Sequence, residues 1–108
     1  MPKYIIERGV PGVGASSSDQ LKGMAQKSNE VLNELNGQVQ WLESYVTDDK
    51  IYCVYVAPNE DLVKRHAEMA GFPADKIAKV DAILDPSSGE VPVKASSKET
   101  SAQKSLRH

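Results

Sequence analysis

Residues 38–71 read QVQWLESYVTDDKIYCVYVAPNEDLVKRHAEMAG. Two β-rich runs, QVQWLESYV (38–46) and IYCVYV (51–56), flank the polar stretch TDDK (47–50). That arrangement predicts a hairpin. Pro58 stops the second run, and Asn59 is placed to cap a helix, since its side chain can accept from a free backbone N–H of the first turn. Leu62, Val63, His66, Ala67, Met69 and Ala70 then mark one apolar side of that helix, and Gly71 ends it. The segment is therefore strand, strand, helix, and the fold follows from what lies on either side.

Toward the N-terminus, KYIIE (3–7) is a short strand and GVPGVGASSS (9–18) is a loop dense in Gly, Pro and Ser. Ser17 with Gln20 matches a capping box. Leu21, Met24, Ala25, Ser28, Val31, Leu32 and Leu35 recur at three- and four-residue spacing, which predicts one helix of about five turns. Asn36-Gly37 ends it, because both residues tolerate the left-handed conformation. Toward the C-terminus, GFPADK is a connector, IAKVDAILD (77–85) is a fourth strand and Pro86 closes it.

The order β-α-β-β-α-β predicts an α+β, ferredoxin-like sandwich: an antiparallel sheet in the order 4-1-3-2 with both helices on one face. The domain spans residues 1–86. Residues 87–108 are Ser, Lys, Thr and Gln with little apolar content, and are expected to form a polar, flexible tail. GVPGVG lacks the Lys-Ser/Thr of a phosphate loop and does not match the dinucleotide fingerprint, so its glycines read as a turn.

At 108 residues the chain is one domain. Residues 1–86 carry nine Lys/Arg and thirteen Asp/Glu, and residues 87–108 four and two. An acidic domain lacks the basic face that nucleic acid requires. No apolar run is long enough for a membrane helix, and MPKYIIERGV does not resemble a signal peptide. A cytoplasmic location is expected. A single cysteine excludes an internal disulfide and the multi-cysteine zinc patterns.

Side chains alternate along a strand, so each strand offers two sets. Tyr4, Ile6, Leu42, Val46, Tyr52, Val54, Val56, Val80, Ala82 and Leu84 are almost wholly apolar and are assigned to the helix-covered face. Ile5, Glu7, Val39, Trp41, Glu43, Tyr45, Ile51, Cys53, Tyr55, Ile77, Lys79, Asp81 and Ile83 form the other face. That second face is too apolar for water, which predicts a homodimer packed sheet to sheet or a tail folded back over it.

His66 falls four residues after Leu62 and is directed at the sheet. It is either a hydrogen-bonded core histidine or a metal ligand or general base. Glu7, Glu43 and Asp81 share the second face. With one imidazole, such oxygen donors suit a divalent ion such as Ni(II), Zn(II) or Mn(II); alone, they pair with Lys or Arg at the rim. No metal-binding spacing such as HxxxH is present. Asp48 and Asp49 suit the hairpin turn. Cys53 reads as a small hydrophobe pointing away from His66.

MPKYIIER (1–8), QWLESYVTDDKIYCVYVAPNED (40–61), HAEMAGFPADKI (66–77) and ILDP (83–86) together resemble a small bacterial ferredoxin-like family of mostly unassigned function that includes a nickel-binding protein. The resemblance covers about residues 1–86. It implies a dimer that binds a transition metal, nickel being the named ion, with Glu7, Asp49, Cys53 and His66 at matching positions. Glu43 stands where some relatives carry a histidine. The expected function is thus a non-catalytic homodimer holding a nickel-type divalent metal. Its ligands would be His66 and Glu7, with Glu43, Asp81, Asp49 and Cys53 as further candidates. The alternatives are a small-molecule enzyme using His66 with Tyr52 or Tyr4 as acid and base, and a structural or regulatory dimer without a ligand.

Overall fold

The computed structural model describes residues 1–90 and the backbone of residues 94–95. Strand β1 is Lys3–Gly9, helix α1 is Ser18–Glu34, β2 is Gln40–Val46, β3 is Lys50–Val56, helix α2 is Glu60–Ala70 and β4 is Lys76–Lys79. The four strands form one sheet in the order β2-β3-β1-β4, antiparallel throughout. Read from the other edge this is 4-1-3-2, the ferredoxin-like order expected from the chain.

The local signals act where they were found. Ser17 accepts from the backbone N–H of Gln20, and Gln20 returns the bond to Ser17, closing the capping box of α1. Past its end, Asn36 and Gly37 have φ of 56° and 74°. Asn59 accepts from Leu62 N–H, and Gly71 closes α2 in the left-handed conformation. Thr47 N–H donates to the Lys50 carbonyl at 2.9 Å and makes the β2–β3 turn.

The loop after β1 docks on that turn. Val10 and Gly14 N–H donate to the carbonyls of Asp49 and Asp48, and Gly12 N–H to the Asp49 carboxylate, each at 2.9 Å. A Cβ on Gly14 would sit 2.7 Å from the Asp48 Cα. The glycine there permits two backbones to meet.

The sheet faces differ from the expected assignment on β3 and β4: Ile77 and Lys79, expected on the open face, stand opposite Ile6 and Tyr4 on the covered one. Tyr4 stands opposite Tyr55 and Ile6 opposite Cys53, and cross-strand partners share a face. Tyr4, Ile6, Arg8, Ile51, Cys53 and Tyr55 are therefore together under the helices, and all are buried. Tyr52, Val54 and Val56 lie on the open face instead. Both sets of β3 are apolar, so alternation alone could not choose between them.

A bulge between Trp41 and Glu43 shifts the phase of β2. Trp41 and Ser44 thereby both reach the covered face, while Glu43 and Tyr45 stay on the open one with Ile5 and Glu7. Against the covered face pack Val31 and Leu35 from α1 and its C-terminal end, and Val63 and Ala70 from α2. Ile6, Val63 and Tyr55 are almost fully buried, each contributing about 1.5–3 kcal/mol by the area it removes from water.

The fourth strand is shorter than the expected 77–85. It ends at Lys79, and Leu84 is 75 % exposed. Ala82–Ile83 (β5) pairs instead with Lys94–Ala95 (β6) in a separate two-stranded ribbon, and Pro86–Gly89 is a 3-10 turn capped by Asp85. The flexibility expected for residues 91–93 and 96–108 lies outside the described residues. No described helix is long and apolar enough to cross a membrane.

Candidate functional site

The inward positions of β1 are Tyr4, Ile6 and Arg8. The strand period thus carries an arginine into the core, where Arg8 is 2 % exposed. Its Nε donates to Cys53 Sγ at 3.4 Å, one terminal nitrogen to the Pro73 carbonyl at 2.6 Å and the other to the Tyr55 hydroxyl at 3.1 Å. The guanidinium also lies over the Phe72 ring, 5.5 Å from its centroid. These partners come from β3 and from the connector after α2, so Arg8 ties the connector to the sheet.

Tyr55 joins this group to a second one. Its ring lies 5.0 Å from that of His66, and His66 Nε2 is 3.1 Å from Ser28 Oγ on α1. His66 is fully buried, and its Nδ1 has no hydrogen-bond partner among the described residues. Burial, then the nearby Arg8 charge, push the His66 pKa down to about 4 against the opposing Ser28 bond. The ring is neutral at pH 7. Burial, reinforced by Cys53, pushes the Tyr55 hydroxyl up to about 12 despite the opposing Arg8 charge. Tyr55 therefore keeps its proton as a donor.

Beside these groups a cavity of about 220 Å³ opens between α1 and the sheet. Leu21, Met24 and Ala25 of α1 form one wall and Trp41, Ser44 and Val46 of β2 another. Arg8, Ser28, Cys53 and Tyr55 line its buried side, and Phe72 and Pro73 one end. His66 does not line it, although both of its neighbours, Ser28 and Tyr55, do.

The residues expected to bind metal are spread through the fold. Glu7 is on the open face, 3.3 Å from Lys50 Nζ, with Tyr52 and Lys76 as its cross-strand neighbours. Hydrogen bonding and charge from Glu7 raise the Lys50 pKa. Glu43 is exposed on the same face, opposite Val54. Asp81 is exposed and is not the neighbour of Glu7: it follows Val80, whose N–H meets the Lys3 carbonyl at the other end of β1. Asp49 holds the Gly12 backbone.

Cys53 is on the helix-covered face, not the open one. It shares that face with His66, whereas Glu7 is on the opposite side of the sheet. No three His, Cys, Asp or Glu side chains gather around a point among the described residues. A single subunit's described residues thus do not form a complete metal site. Arg8, Ser28, Tyr55 and Trp41 are the polar and aromatic residues that sequence reasoning did not place in a site. The available signal was the parity of β1, which carries Arg8 to the same face as Tyr4 and Ile6.

Fold and geometry together define a ferredoxin-like domain with a bare sheet face on one side and an arginine-lined cavity under its helices on the other. The chain belongs to the family described as nickel responsive protein SCO4226-like, matched over residues 4–80. The crystal structure of SCO4226 from Streptomyces coelicolor A3(2) is similar: TM-score 0.64 at 26 % identity, covering 76 % of this chain and 99 % of that one. No curated protein matches the chain.

Proposed function

We propose that this protein is a non-catalytic homodimer that answers to a divalent transition metal of the nickel type, assembled through its open sheet face. The carrying observation is membership of a nickel-responsive family over the residues that form this sheet. The open face adds a physical reason. It exposes Ile5 and Tyr45 at 39 % and 55 %, beside Tyr52, Val54 and Val56, and so presents the kind of apolar patch that a second sheet covers.

Glu7 and Glu43 sit on the same face. A two-fold axis set close to these carboxylates would bring copies from both subunits together and supply oxygen donors that one subunit lacks, Glu7 exchanging its Lys50 partner for the ion. His66 is sealed beneath α2 and acts in the core. The proposed ligands are thus Glu7 and Glu43 across the dimer, in place of the expected His66–Glu7 pair.

Calorimetry with Ni(II), Co(II) and Zn(II), alongside the mass in solution, tests the reading. Uptake by a dimer is expected, with Glu7→Gln about tenfold weaker and His66→Gln unchanged. A protein that takes up none of the three ions overturns it.

A further inference from the structure

The cavity between α1 and the sheet ends on a buried cation. Among the described residues no Asp or Glu pairs with Arg8: the ion pairs are Lys50 with Glu7 and Lys64 with Glu60. Among the described residues its guanidinium is held by Cys53 Sγ, the Pro73 carbonyl, the Tyr55 hydroxyl and the Phe72 ring. Those bonds engage three of the five N–H donors that a guanidinium carries. A buried charge gains most from an anion that can take bidentate hydrogen bonds.

The rest of the cavity is apolar apart from Ser28 and Ser44, whose hydroxyls are engaged by His66 and Trp41. Leu21 and Met24 face Trp41 across it, and its volume of about 220 Å³ exceeds the roughly 150 Å³ of a protein cavity that takes up benzene. A ring or short aliphatic chain with one small polar group fills such a space. Tyr55 accepts from Arg8 with its oxygen and keeps its own proton, for which a carboxylate in the cavity is a stronger acceptor than the neighbouring Cys53 sulfur.

We propose that this cavity binds a small monocarboxylate with an apolar body, its carboxylate on Arg8 and Tyr55 and its body among Leu21, Met24 and Trp41. The site is separate from the open face, and its occupation requires no metal. One subunit carries both ends of it.

The test is heteronuclear NMR of the full chain with EDTA present, so that no metal can bridge ligand and protein. Benzoate and hexanoate are titrated in parallel with benzamide and hexanamide. Saturable shifts at the amides of Arg8, Met24, Cys53 and Tyr55 are expected with the acids. The neutral amides should bind at least about tenfold more weakly, having no charge to pair. Arg8→Met should erase that preference. Because that variant also removes the three hydrogen bonds of Arg8, Ala25→Phe serves as a second arm: it fills the cavity from its half-buried place on α1 and leaves Arg8 intact. It should block both acids. The proposal is overturned if neither acid moves those amides, if acids and amides bind alike, or if Ala25→Phe binds the acids unchanged.

Discussion

Ser28 Oγ lies 3.1 Å from His66 Nε2, and this polar contact joins the two helices inside the core. It satisfies one ring nitrogen and leaves Nδ1 without a partner among the described residues. The economical tautomer has Nε2–H donating to Ser28, so that the unpaired atom is an acceptor rather than a buried donor. The ring stays neutral because protonation would place a second charge near Arg8 in a dry environment.

Acid should destabilise the protein through this ring. The folded pKa of about 4 lies below the ordinary 6.5, so between those values the unfolded chain binds a proton that the folded chain refuses. The contribution is fully present above about pH 6.5 and is lost as the pH falls toward 4, amounting to no more than about 3 kcal/mol. Urea unfolding from pH 7 to 4 checks this against His66→Gln. The difference in slope between the two proteins isolates His66 from the carboxylates that titrate nearby. Parallel curves would refute the assignment.

Tyr55→Phe should cost about 1–3 kcal/mol, because it removes an acceptor and leaves an Arg8 N–H unpaired in the core. The shape of the side chain is otherwise kept. Chemical denaturation gives the value, and a change under about 0.5 kcal/mol would show that the bond is dispensable.

Two glycines should respond in opposite directions to alanine. At Gly14 the added Cβ meets Asp48 Cα at 2.7 Å and the Thr47 carbonyl at 2.9 Å, both backbone atoms with no room to yield. Gly14→Ala is expected to destabilise by about 1–3 kcal/mol. Gly23, inside α1, has nothing within 4 Å of such a Cβ. Gly23→Ala is expected to stabilise by about 0.5–1 kcal/mol through helix propensity alone. Thermal unfolding of the two variants decides both signs.

Val54→Lys tests the open face. Val54 lies between Ile5 and Glu43 in the register, in the middle of the face proposed to be shared. A lysine there should convert a dimer into a monomer, raising the dissociation constant at least about a hundredfold, since it drives a long charged side chain into the seam, where its desolvation and its competition for Glu43 both oppose assembly. Light scattering over a dilution series measures it. A variant that keeps twice the chain mass at every concentration would move the interface elsewhere.

The elements were legible in the chain because their signals are local. Ser17 and Gln20 close a capping box within one turn, Asn59 caps within three residues, and Gly71 and Asn36-Gly37 mark helix ends by backbone tolerance. These features, with two helical stripes and a hairpin, sufficed for the β-α-β-β-α-β order and for the strand order that follows from it. The inward direction of His66 was legible too, from its spacing after Leu62.

The faces of the sheet were decided by tertiary structure. In IYCVYV both alternating sets are apolar, so only the pairing of Tyr4 with Tyr55 and Ile6 with Cys53 tells which set is covered. The bulge at β2 turns Trp41 and Ser44 to one side, and no local residue pattern announces it. Burial of Arg8 depends on neutral partners 45 to 65 positions away, on β3 and the connector after α2. Local sequence therefore determined which elements form and in what order. Long-range register alone determined which side chains face each other, because that depends on which strands hydrogen-bond and in what alignment.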